Sequence, residues 1–197
     1  MNIEYFNEYI KNKNMGIKTK TKEYVHKFIQ SFENYHEKEL WTMEYLPTLQ
    51  HNHNKRIRNE LFEALIFPVL LNGYNNKNIS VMIWLVKLEQ NLIQNQKLWK
   101  IINYKSSIQI IRECYDLDPN NTEVIDIYLE LKIQWIAYSI HEWPSGILIG
   151  MNGATAEQCK ELVKELPFLY KLDTKNKYKA YIMDYENKLH DYIIRFR

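Results

Sequence analysis

Glycine and proline are scarce in this chain, five of each among 197 residues, and cysteine appears twice. A chain so poor in helix breakers is not a low-complexity linker, and with 46% hydrophobic and 25% charged residues it is not a disordered segment. The two cysteines, Cys114 and Cys159, are too few for a disulfide framework; each falls in an apolar helical pattern and reads as a reduced core thiol. An excess of one charge is missing as well. Lys and Arg number 26 against 24 Asp and Glu, a net of +2, which lacks the electrostatic footprint of a dedicated nucleic-acid binder. Long apolar runs are absent: the longest, Ala64 to Leu71, is far too short to span a bilayer, and the opening MNIEYFNEYIKNKN has no apolar h-region. The expectation is a soluble, cytoplasmic protein without a membrane partner. Asn, Ile, Lys and Tyr are used heavily and Lys outnumbers Arg, a bias that AT-rich coding produces and that fits a bacterial source.

What the chain has in quantity is helical spacing. Tyr178, Tyr181, Ile182, Tyr185, Leu189, Tyr192, Ile193 and Phe196 fall on one helix face, as do Tyr24, Val25, Phe28, Ile29 and Phe32, and again Val81, Leu85, Leu88 and Leu92. Strand alternation is scarce. The pattern predicts an all-α fold of about eight helices, an irregular bundle or degenerate stacked hairpins, in a single domain over residues 1–197. Gly73 after ALIFPVLLN reads as a C-terminal cap, and Pro119 and Pro167 as stops; Pro68 should kink its helix by clashing with the carbonyl of Ala64. Residues 11–22, KNKNMGIKTKTK, read as a basic linker, and residues 141–155 as a long glycine-containing loop.

Between Thr122 and Ile140 apolar residues cover nearly the whole circumference, as expected of a central, enclosed helix. Its polar residues Asp126, Glu130 and Gln134 recur every fourth position, with His141 roughly in line, and form a narrow stripe. Such a stripe lines a groove or is the one solvated edge of the helix.

The segment SSIQIIRECYDLDPNN, Ser106 to Asn121, resembles the second helix and closing turn of a tetratricopeptide repeat. Ser107, Ile111 and Cys114 stand where that motif takes small, bulky and small residues, and Pro119 stands on its proline. The residues around Trp84, Leu85 and Leu88 are similar to a first helix. The stretch from Leu92 to Lys105 is too long a connection for a period of about 34 residues, and the helix after Asn121 lacks the small residue of close pairing. The resemblance implies stacked antiparallel helical hairpins of a kind that binds proteins or peptides.

Motifs of chemistry are few. His51 and His53 in HNHNKRIR lack nearby Cys, Asp or Glu to complete a metal site, and read as a polar lead-in to the helix near Asn54; no metal or cofactor is expected. Phosphate loops, nucleophile elbows and HExxH are missing, and His26, His36 and His190 sit among polar neighbours on helices. The loop SIHEWPSGILIGMNGATAEQC, Ser139 to Cys159, is the exception. Thr155 caps the following helix, with Gln158 completing a capping box. His141 and Glu142 carry acid and base groups, and the glycines let an anion approach a helix N-terminus. Trp143, Pro144, Ile147, Leu148, Ile149 and Met151 are too large an apolar load to leave in water. The reading is a core lid at Trp143 and a partner-facing tip at Met151 and Asn152. The expected function is non-enzymatic binding of another protein, with an immunity-type protein that neutralises a toxin as its specific form. The candidate binding residues are Asp126, Glu130, Gln134, His141, Trp143, Met151 and Asn152. An enzyme using the His141 to Thr155 region, or an RNA-associated protein, is the alternative.

Overall fold

Asparagine, so abundant in the sequence, starts many of the helices. The side chains of Asn2, Asn34, Asn78, Asn95 and Asn121 each accept a bond from a backbone N–H two or three residues on, at 3.0 to 3.4 Å, which satisfies a donor that a helix end leaves free. The computed structural model describes residues 1–49 and 57–195. They fall into two compact units, Met1–Ile110 and Ile111–Arg197.

The first unit holds α1 (Ile3–Asn14), α2 (Lys18–Gln30) and α3 (Tyr35–Tyr45), the last closed by a 3-10 turn at Leu46–Leu49. A short α4 (Asn59–Leu61) passes through a π turn, Phe62–Ile66, into α5 (Phe67–Asn75). Then come α6 (Ile79–Lys87), α7 (Glu89–Gln94), α8 (Gln96–Ile101) and the start of α9 (Ser107–Leu117). α1 packs along α2 and α5 along α6. Aromatic rings fill the space between the first three helices: Phe28 and Trp41 are buried with centroids 5.1 Å apart, and Tyr45 stacks on Trp41 at 4.7 Å. Residues 11–22, read from the sequence as a linker, belong mostly to α1 and α2, because Tyr9, Thr21 and Val25 bury one face of each helix and leave the lysines on the other.

The second unit completes α9 and adds α10 (Thr122–Ser139), the two-residue strands β1 (Leu148–Ile149) and β2 (Asn152–Gly153), α11 (Ala156–Leu172) and α12 (Lys179–Arg195). α11 and α12 lie along each other, and α10 packs on α11. Ile136, Cys159, Leu166, Ile182, Tyr185 and Leu189 form the buried centre. On the apolar face expected of the last helix, Ile182, Tyr185, Leu189, Tyr192 and Ile193 are all buried; Phe196 lies outside the described residues.

The all-α class holds, and the helices outnumber the eight expected. α7 and α8 occupy the stretch from Leu92 to Lys105 that the sequence offered as a connection, with Asn95 breaking and restarting the helix. Gly73 is no cap: it lies inside α5, where Val81 of α6 approaches so closely that a Cβ would come within 2.4 Å of it. Pro167 does not end its helix either, since α11 runs through it to Leu172. α10 is less enclosed than expected; Val124, Tyr128, Leu129, Ile136 and Ser139 are buried, and Ala137 and Tyr138 are exposed. Among the described residues no helix is long and apolar enough to cross a membrane.

Candidate functional site

The loop between α10 and α11 is anchored at its base and exposes Met151 at its tip. After α10 ends, turns carry the chain through Ser145, and Ile147 drops into the core with no exposed surface. Its carbonyl accepts the Ala154 N–H at 2.7 Å, and the Ala154 carbonyl accepts the Tyr192 hydroxyl at 3.0 Å, so α12 holds the neck of the loop. Beyond the neck, β1 and β2 pair antiparallel, with Leu148 opposite Gly153 and Ile149 opposite Asn152. Gly150 takes a φ of +60° at the turn, a conformation costly for a residue with a Cβ, and its carbonyl accepts the Tyr138 hydroxyl at 2.8 Å. Met151, next in line, is 94% exposed. The capping box read from the sequence is present: Thr155 Oγ1 accepts from Gln158 N–H at 3.2 Å and Gln158 Oε1 accepts from Thr155 N–H at 2.8 Å.

The seven candidate residues differ in their surroundings. Trp143 is partly buried against the core of the second unit, and the Arg195 guanidinium sits over its ring at 4.8 Å while donating to the Pro144 carbonyl at 3.1 Å. Asp126, Glu130 and Gln134 are exposed, and Asp126 lines a recess of only about 20 Å³ with Asp173 and Lys175. Lys175 pairs with Asp126 at 3.1 Å and Lys177 with Glu130 at 3.4 Å. Asp173, which is buried, accepts the backbone N–H of Lys177 and of Tyr178 at 2.8 Å each and thereby fixes the turn that delivers those lysines. The stripe is a solvated edge closed by ion pairs.

His141 is exposed; its Nδ1 lies 2.6 Å from the Tyr138 carbonyl and its Nε2 3.7 Å from Glu142 Oε1. The two neighbours come closer than adjacent side chains at a helix end usually do, and both remain about half exposed, 50% and 54%. His26, His36 and His190 are exposed on their helices. His51 and His53 lie outside the described residues, and among the described ones no three His, Cys, Asp or Glu side chains gather as metal ligands. Burial pushes the Cys114 thiol up to about 11 and the Cys159 thiol upward as well, the opposite of what an activated nucleophile requires.

One feature of the second unit was not foreseen from the sequence. A cleft of about 350 Å³ opens where α9, α10 and α11 present Tyr115, Tyr128 and Phe168, with Arg112, Asp116 and Lys132 at its margin. Its residues come from three separate segments, and no local signal ties them together.

No protein-family model matches this chain, and no curated protein or solved structure shows detectable similarity to it.

Proposed function

We propose that this chain is a non-enzymatic helical domain that binds another protein through the tip of the β1–β2 hairpin. The observation that carries the reading is Met151, an unbranched apolar side chain 94% exposed at the end of a hairpin whose neck is tied to α12 and whose turn is tied to α10. A flexible thioether suits an anchor that enters a partner's pocket, and Asn152 beside it offers an amide for hydrogen bonding. A fixed neck lowers the ordering cost of binding. In its specific form the partner is a toxin domain and the chain an immunity-type protein; that step rests on analogy with small helical neutralising proteins.

Affinity capture from native extract, run in parallel with the wild-type chain and with Met151→Ala/Asn152→Ala, tests the proposal. The expected result is one stoichiometric protein partner that the double variant loses, with a weakening of about 2 kcal/mol or more and stability changed by about 0.5 kcal/mol or less. A partner retained by the variant, or a nucleotide or RNA in place of a protein, overturns it. Co-expression tests the narrower form, in which the captured protein is toxic alone and silenced by the wild-type chain.

A further inference from the structure

The cleft between α9, α10 and α11 has the parts of a small-ligand site, distinct from the hairpin. Three of the rings that line it are in edge-to-face contact: Tyr115 with Phe168 at 5.5 Å, Tyr128 with Phe168 at 5.5 Å, and Tyr115 with Tyr128 at 5.9 Å. Rings so close leave no hole between them, so they form an apolar surface on which a flat group can lie. Of the other charged residues that line it, Lys132 pairs with Glu165 at 2.8 Å and Lys164 pairs with Glu161 at 2.6 Å. Arg112 and Asp116 stand one turn apart on α9, and neither has a salt bridge or hydrogen bond to any described residue. An arginine four positions before an acid is the less favourable order for pairing along a helix, because both charges oppose the dipole. Among the described residues the cleft is therefore lined by a cation and an anion without a salt bridge, with Cβ atoms about 5–6 Å apart, beside the three rings. About 350 Å³ is at the lower end of ligand-pocket sizes.

We propose that this cleft binds a free α-amino acid with an aromatic or large apolar side chain. The ligand carboxylate takes both forks of the Arg112 guanidinium, the ammonium donates to the Asp116 carboxylate, and the side chain lies on Tyr115, Tyr128 and Phe168. Its two charges hang from one carbon, which matches the short distance between Arg112 and Asp116. A ligand with only one charge leaves the other member of that pair unmet.

Calorimetric titration of the full chain with L-phenylalanine, phenylpropionate and phenethylamine decides the matter. L-Phenylalanine is expected to saturate with a Kd below about 1 mM, and the two singly charged analogues to bind at least about tenfold more weakly. Arg112→Gln and Asp116→Asn, both exposed and expected to fold normally by circular dichroism, should each remove the preference for the zwitterion. Equal binding of all three probes, no saturation by L-phenylalanine at about 10 mM, or unchanged affinity in both variants overturns the assignment. The titration needs no protein partner, and Met151→Ala/Asn152→Ala should leave it unchanged, so failure of the hairpin reading and failure of this one are separable.

Discussion

Gly73 lies so close to Val81 that a Cβ on it would come within 2.4 Å of one Val81 methyl and 2.6 Å of the Val81 Cβ. Neither atom can swing away, because Val81 is stiff at χ1 and buried. Gly73→Ala should therefore destabilise the protein by about 1–3 kcal/mol despite alanine's higher helix propensity, and Val81→Ala in the same chain should recover part of the loss. Denaturant midpoints of the two single variants and the double variant check this; full additivity of the two costs would refute the contact. The sequence shows a glycine at the end of an apolar run, which reads as a cap, because capping and close packing use the same missing Cβ. Only the position of Val81 tells them apart. Trp143 and Met151 pose a similar ambiguity. Both are large apolar residues in one loop, and their burial differs: Trp143 is partly buried on the core beneath Arg195, and Met151 is 94% exposed.

At the level of elements, the prolines show how tertiary contacts override a local rule. Pro68 cannot supply the N–H that the Ala64 carbonyl would receive in an α-helix. The turn ahead of it widens to π geometry, with Phe67 N–H reaching back to the Phe62 carbonyl, and α3 supplies donors from outside: Lys38 Nζ to the Ala64 carbonyl at 3.5 Å and Thr42 Oγ1 to the Leu65 carbonyl at 3.4 Å. The expected irregularity is present, and its form depends on a neighbouring helix. Pro167 sits exposed within α11, where Leu166 and Leu169 on either side are buried and hold the helix in line. Pro167→Ala should restore a donor to the Val163 carbonyl and raise stability by about 1–2 kcal/mol, after allowance for the freer unfolded chain. Urea unfolding with an unchanged slope checks it, and a fall in midpoint would mean that the proline ring itself contributes to packing. One helix start was legible: the capping box at Thr155 is read directly from residues three apart. The division into two units was not legible, since it falls at Ile110, inside α9, a helix without glycine or proline.

For the molecule as a whole, buried acids set the response to alkali. Burial raises Cys114 to about 11 and Tyr45 to about 12, and Tyr170 also reaches about 12, through burial and through its hydrogen bond to Glu186. Each group keeps its proton in the folded state at a pH where the unfolded chain has released it. The folded state then binds more protons, and stability falls as pH rises from about 9, where an unfolded thiol ionises, through about 12. Below about pH 8 these groups are protonated in both states and contribute nothing. Chemical denaturation at pH 8 and at pH 10.5 is expected to give a clearly lower midpoint at the higher value, and an unchanged midpoint would contradict the burial of these side chains. The sequence by itself determined the helical class, the capping box at Thr155, the apolar faces of α2 and α12, and the scarcity of catalytic motifs, because these follow from residue type and spacing within a turn or two; the expected face Val81, Leu85, Leu88 and Leu92 is instead divided at Leu88 between α6 and α7. The tertiary structure alone decided that the acidic stripe is closed by lysines, that Gly73 receives Val81, and that Arg112, Asp116 and three rings surround one cleft. Burial and charge pairing depend on which distant segments meet, and no local spacing encodes that.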